Sequence, residues 1–185
     1  MANSDFSHLT SKNRSALISS IYKEVSYYSE TFCYRERAYL NKLSKIPQSI
    51  YWLSEGIDRL TAFTIVDSNY RFNVKNTEIV SFGHTISKKQ GVMERLLKHI
   101  MDTYKENSLV TFCKKFVGDS LNLTTLGFEE LNPEELKNTL PELADHKTSY
   151  FGVKNENLYS ALIRKQYFVY LKVNEKDKTD LKWKM

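Results

Sequence analysis

Thr77-Glu78-Ile79-Val80-Ser81-Phe82-Gly83-His84-Thr85-Ile86-Ser87-Lys88-Lys89-Gln90-Gly91-Val92-Met93 begins a segment that continues ERLLKHIMDTY to Tyr104. Glu78–Ile86 carries an apolar strand pattern. A short polar turn with one glycine follows, and then an amphipathic helix. In that helix Val92, Leu96, Leu97, Ile100, Met101 and Tyr104 form one stripe. Arg95, Lys98, Asp102 and Lys105 face away. A strand that turns directly into a helix aims backbone N–H groups outward, because the first N–H groups of a helix have no partner inside it. The helix dipole adds about half a positive charge at that end. The arrangement predicts an anion site that needs no particular side chain.

Working outward, Asn13–Tyr28 and Glu30–Ile46 read as helices, the first on Leu17, Ile18, Ile21, Tyr22 and Val25. Pro47 ends the second. Ile50–Ser54 and Leu60–Val66 flank a turn-like Glu55-Gly56-Ile57-Asp58 and predict a hairpin. Asp67–Asn76 reads as a polar connection. Downstream, Leu109–Phe116 predicts a strand, Gly118–Thr125 a short helix or helical turn, and Phe128–Leu131 a short strand. Asn132 caps a helix with Pro133 at its first position, and Pro141 kinks or restarts it. Ser149–Val153, Leu158–Ile163 and Tyr167–Val173 are strand candidates. The order predicts an α/β or α+β sheet protein. One domain over 1–185 is expected, with 1–12 as a loose terminus and 174–185 as a loose tail or a short edge element.

The chain has 185 residues, enough for a substantial core. Hydrophobic content of 41% with 26% charged residues predicts a globular domain. No apolar run is long enough to span a bilayer, and the first residues lack an apolar signal core. A cytoplasmic location is the default expectation. Cys33 and Cys113 are too few for a disulfide framework, and no metal-ligand spacing occurs. The formal net charge of +5 suits acidic partners, or is simply a solvated lysine surface.

The same stretch resembles the acyl-CoA-binding core of the GNAT acetyltransferase superfamily. That family places [QR]-x-x-G-x-[GA] between its central strand and the following helix. The matching positions are Lys88, Lys89, Gln90, Gly91, Val92 and Met93. Gly91 matches; Lys88 replaces Gln or Arg, and Met93 replaces a small residue. Downstream, Thr124-Thr125-Leu126-Gly127-Phe128 is similar to the family's Leu-Gly-Phe ending. The resemblance covers about Ile50 to Phe128. It implies a GNAT-like mixed, curved central sheet with helices on both faces. The family's first strand is not obvious; it is either short, near Phe6–Leu9, or missing.

The resemblance also implies a reaction: an amine attacks the thioester of acetyl-CoA, or of another acyl-CoA, directly. Backbone groups of Gln90, Gly91, Val92 and Met93 are the candidates for the diphosphate, with Ile86 beside them and Lys88 and Lys89 adding charge. Glu78 is the first candidate for the base, by likeness to members with a Glu at the start of this strand; structurally it is equally an edge acid. His84 is the second, because an imidazole titrates in the useful range. Many members carry a tyrosine acid where this chain has Leu123; Ser120, Tyr150, Tyr159 or water would have to substitute. Cys113 reads as a core thiol. Tyr22, Tyr27, Tyr28, Tyr34 and Tyr39 would line the acceptor wall or pack in the core. The expected partner is an amine acceptor, small molecule or protein, with no membrane and no nucleic acid, and the chain is a monomer or homodimer. Met93 and Leu123 leave a second reading open: a catalytically weak or inactive module that binds CoA or a protein.

Overall fold

The computed structural model describes residues 6–28, 40–42, 44–46, 50–54, 60–87, 91–148 and 153–183. They divide into two compact units, one of 1–67 with 82–100 and one of 68–81 with 101–185.

In the first unit, helix α1 (Ser11–Tyr28) starts beside Thr10, whose Oγ1 accepts from the Asn13 N–H at 3.3 Å. It buries Leu17, Ile18 and Ile21 in a cluster with Leu40, Ile50, Trp52 and Phe63. Of the expected second helix, residues 40–42 are helical, and most of the rest lies outside the described residues. Phe6–Leu9 is a turn rather than a strand, closed by the Leu9 N–H on the Phe6 carbonyl. The Phe6 ring packs on Trp52 with centroids 4.4 Å apart, and Arg14 donates to the Phe6 carbonyl at 2.8 Å. Residues 6–12 are therefore not a loose terminus.

Strand β1 (Ile50–Ser54) pairs antiparallel with β2 (Leu60–Val74), with Ile50 opposite Ile65 and Trp52 opposite Phe63. The expected connection Asp67–Asn76 is instead mostly strand. Phe72 and Val74 are buried, while Asn73 and Lys75 are exposed, so the period is two although the letters are polar. Only Lys75 and Asn76 separate β2 from β3 (Thr77–Ser87). Lys75 takes a left-handed φ of 53°, a turn conformation that the side chain alone does not advertise. Helix α2 (Val92–Thr103) buries Val92, Met93, Leu96, Leu97 and Ile100, close to the expected stripe.

In the second unit, β3 joins β4 (Ser108–Cys113) in parallel, Ile79 opposite Ser108 and Ser81 opposite Val110. Strand β8 (Phe168–Lys172) pairs antiparallel with β4 on one side and with β5 (Glu129–Leu131) on the other. The hydrogen-bonded order is β1-β2-β3-β4-β8-β5, a mixed sheet. Strands β6 (Lys147–Thr148) and β7 (Glu156–Asn157) form a separate ladder.

Strand β4 stops at Cys113 rather than Phe116, because helix α3 (Lys115–Ser120) begins there. Helix α4 (Pro133–Thr139) has the expected start, made stronger by a reciprocal capping box between Asn132 and Glu135. Pro141 opens α5 (Pro141–Ala144). Leu158–Ile163 is not a strand but the body of α6 (Leu158–Lys165). Asn157 caps it from the Ser160 N–H at 2.9 Å, and Leu158, Ala161 and Leu162 are buried at helical spacing. Residues 149–152 lie outside the described residues, and Val153 sits in a bend.

The C-terminal segment is docked, contrary to expectation. After a 3-10 turn (Glu175–Asp177), α7 (Lys178–Leu181) sends Leu181 and the following Trp183 into the core with Phe72, Val110 and Leu162. Ser108 donates to the Asp177 carboxylate at 2.7 Å and accepts the Asn174 N–H at 3.0 Å. Both side chains of that first bond are buried, so the charge is satisfied rather than stranded.

Candidate functional site

The first unit carries the strand-to-helix turn. Gly91 is exposed and holds a φ of 75°. A Cβ built on it meets no atom of the described residues within 4 Å. The backbone conformation, not crowding by the protein, therefore selects glycine here. Met93 is 7% exposed and belongs to the buried face of α2. Glu94, in the first turn of α2, pairs with Lys98 at 2.7 Å. Lys88, Lys89 and Gln90 lie outside the described residues; for His84 and Ile86 only the strand backbone is described.

The second unit carries Glu78. It stands on β3 beside the Lys75-Asn76 turn, where Arg71 Nη1 donates to its Oε1 at 2.5 Å. Both side chains are partly open, 37% for Arg71 and 40% for Glu78.

Leu123 is fully buried and has a local role that explains it. The Phe128 N–H reaches the Leu123 carbonyl and the Gly127 N–H reaches that of Thr124, while Gly127 has a φ of 86°. This is a Schellman stop, in which buried residues flank the left-handed position. The Leu-Gly-Phe ending is thus a chain-reversal device, with Leu123 and Phe128 both in the core. A second stop precedes it: the Leu123 N–H bonds to the Gly118 carbonyl and Asn122 takes a φ of 52°.

Of the substitute acids, Ser120 donates to the Val117 carbonyl at 2.8 Å, Tyr159 donates to Glu134, and Tyr150 lies outside the described residues. A cluster that sequence reasoning missed lies under α3. Tyr170 donates to Glu130 Oε2 at 2.9 Å, and Lys115 donates to both oxygens of that carboxylate, at 2.7 and 2.8 Å. Lys115, followed by Tyr170, lowers the Glu130 carboxyl below its ordinary range against an opposing desolvation. Burial, then the Glu130 contact, pushes the Tyr170 hydroxyl up. Burial is also the main cause that lifts the Cys113 thiol to about 12, partly opposed by the Gly118 N–H. Thr111 pairs with Tyr170, and this register could have been found only from the strand alignment.

The raised thiol has a signed consequence. The unfolded thiol releases its proton near 9.0, whereas the native one keeps it to about 12. Between those values the native state binds more protons, so stability falls as pH rises, by up to about 1.4 kcal/mol per pH unit for one group. Urea unfolding followed from pH 7 to 10.5 should show this decline, and Cys113→Ala should flatten it. An equal slope in both proteins would remove Cys113 as the cause.

Among the described residues, no cluster of three or more His, Cys, Asp or Glu could hold a metal ion. None of their helices is long and apolar enough to cross a membrane.

No family model matches the chain, and no curated protein matches it either. Solved structures do. Rv2747 from Mycobacterium tuberculosis, solved in complex with CoA and NLQ, aligns with a TM-score of 0.58 at 7% identity, over 94% of this chain and 98% of that one. A GNAT-family acetyltransferase from Staphylococcus aureus Mu50 aligns with a TM-score of 0.53 at 12% identity, over 94% and 98%. PH1933 from Pyrococcus horikoshii OT3 gives 0.54 at 14%, over 95% and 98%. With a mixed sheet in the order described and such coverage, this chain has the fold of the GNAT acetyltransferases.

Proposed function

We propose that this chain is an acyl-CoA-dependent N-acyltransferase of the cytoplasm, transferring acetyl from acetyl-CoA to a primary amine by direct attack. The observation that carries the proposal is the Gly91 turn: a left-handed glycine in open space, at the N-terminus of a twelve-residue helix, in a chain with this fold. The amides of Gln90, Gly91, Val92 and Met93 would hold the diphosphate, with Lys88 and Lys89 supplying charge and Ile86 flanking the cofactor. Positioning of amine and thioester would supply most of the rate, up to ~7–11 kcal/mol in well-oriented systems. Glu78 would take the ammonium proton, through water, with His84 as the second candidate. The nitrogen then bonds to the acyl carbon, the C–S bond breaks, and the CoA thiolate is protonated by water, since Leu123 has no proton to give.

A second reading keeps CoA binding but not turnover. It is favoured by the burial of Leu123 in a structural turn. A rise in unfolding temperature with acetyl-CoA tests the binding step, since a ligand of the native state stabilises it. Release of free thiol in the presence of amines tests turnover. For Glu78→Gln we expect turnover to fall by at least ~100-fold, in the range of general-base loss, with acetyl-CoA binding kept. Wild-type turnover in that variant would remove Glu78 as the base, and a thermal shift without thiol release would leave the module reading standing.

A further inference from the structure

We propose that Arg71 is the positioning residue for the Glu78 carboxylate. The inference rests on the assignment of Glu78 as the base. Phe72, Val74 and Ile79 alternate with Arg71, Asn73 and Glu78 along the two strands of one tight hairpin. The first three are buried in one core cluster, which fixes the hairpin backbone. Arg71 and Glu78 occupy the alternate positions, so their side chains share the other face. There Arg71 Nη1 meets Glu78 Oε1 at 2.5 Å.

A glutamate on an open strand face has three torsions to distribute and samples many carboxylate positions. A charge-assisted bond from a guanidinium restricts those torsions to one arc. The bond uses one carboxylate oxygen, and 40% of the Glu78 side chain stays accessible to water and substrate. At this exposure the pair contributes little to stability. Its larger consequence is geometric, because a base must sit within hydrogen-bond reach of the proton that it removes.

The test is a double-mutant cycle on kcat, read as thiol release from acetyl-CoA with spermidine, L-glutamate, L-lysine and a lysine-containing peptide as acceptors. Arg71→Ala should lower kcat roughly tenfold, as misplacement of a reacting group does. KM for acetyl-CoA and the unfolding midpoint should be kept. Arg71→Lys should recover part of the loss. In a Glu78→Gln background Arg71→Ala should have no further effect, since the coupling is between neighbours. Full activity of Arg71→Ala beside an impaired Glu78→Gln overturns the positioning role and leaves the base in place. Additive losses do the same. Wild-type activity of Glu78→Gln overturns the base assignment itself. Absence of thiol release with all four amines overturns both.

Discussion

Gly118→Ala is expected to lower the stability of the second unit, although the position is helical and alanine is the better helix former. In an exposed helix the change would stabilise by roughly 1 kcal/mol. Here a Cβ would lie 2.0 Å from Tyr170 Cζ and 2.1 Å from its Oη. Those atoms belong to a rigid ring that is fully buried and tied at its hydroxyl to Glu130. The ring is held in place by that bond, and lifting the helix would break the Leu123 bond to the Gly118 carbonyl. Overpacking of this kind costs about 1–3 kcal/mol and occasionally more. Set against the helix gain, the sign of the result decides which effect wins. The contact should dominate, with a fall of roughly 2–8 °C in unfolding midpoint for a chain of this size. Calorimetry on Gly118→Ala reads it directly. Tyr170→Phe should relieve only the Oη contact, so it should rescue the variant in part. An unchanged or raised midpoint for Gly118→Ala would mean that α3 does not rest on Tyr170.

The contrast between what was and was not legible follows from where each signal is written. Strand β3 and helix α2 carry their periods in apolar residues, and their positions were readable to within a few residues. Helix α4 announced itself through Asn132 and Pro133, because caps and prolines act locally. The extension of β2 to Val74 was hidden, since Tyr70, Arg71 and Asn73 look like a loop until Phe72 and Val74 are seen to alternate with them. Helix α6 was hidden for another reason. Eight residues hold too few turns for periodicity to separate a helix from a strand, and the deciding signals were Asn157 at one end and Gln166, with φ 55°, at the other. The docked C-terminus could not be read at all, because Ser108 and Asp177 are far apart in sequence and meet only after β4 is built. At the candidate site, Gly91 was found for its motif, and its φ of 75° adds a conformational ground for glycine at that position. Leu123 marked a departure from the family's acid, and its burial at a Schellman stop supplies the physical ground.

Gly91→Glu should abolish measurable acetyl-CoA binding while the protein stays folded, and the two halves of that statement have separate causes. The new side chain would project into space where a Cβ meets none of the described residues within 4 Å, so no packing among them is lost. A negative charge just ahead of α2 also agrees with the helix dipole. The cost to the fold is limited to placing an L-residue at φ 75°, about 1–2 kcal/mol. The cost to the ligand is larger in kind. A carboxylate some 4 Å from one phosphate charge repels it by about 1 kcal/mol in water and about 4 at a protein surface of intermediate dielectric. A diphosphate carries more than one charge, so a loss of at least ~100-fold in affinity is expected at low salt, shrinking as salt screens it. Gly91→Asn provides the control. Asparagine tolerates the left-handed region and adds no charge, so it should bind acetyl-CoA within a few-fold of wild type. Titration calorimetry at two salt concentrations, with the unfolding midpoint of each variant, separates the cases. If Gly91→Glu binds acetyl-CoA as the parent does, the diphosphate does not lie on the α2 N-terminus. Equal losses in Glu and Asn variants would instead assign the effect to backbone strain. A loss confined to Gly91→Glu and relieved by salt is the signature of an anion seated on these amides, because only that arrangement makes the charge, and not the shape, of residue 91 decisive.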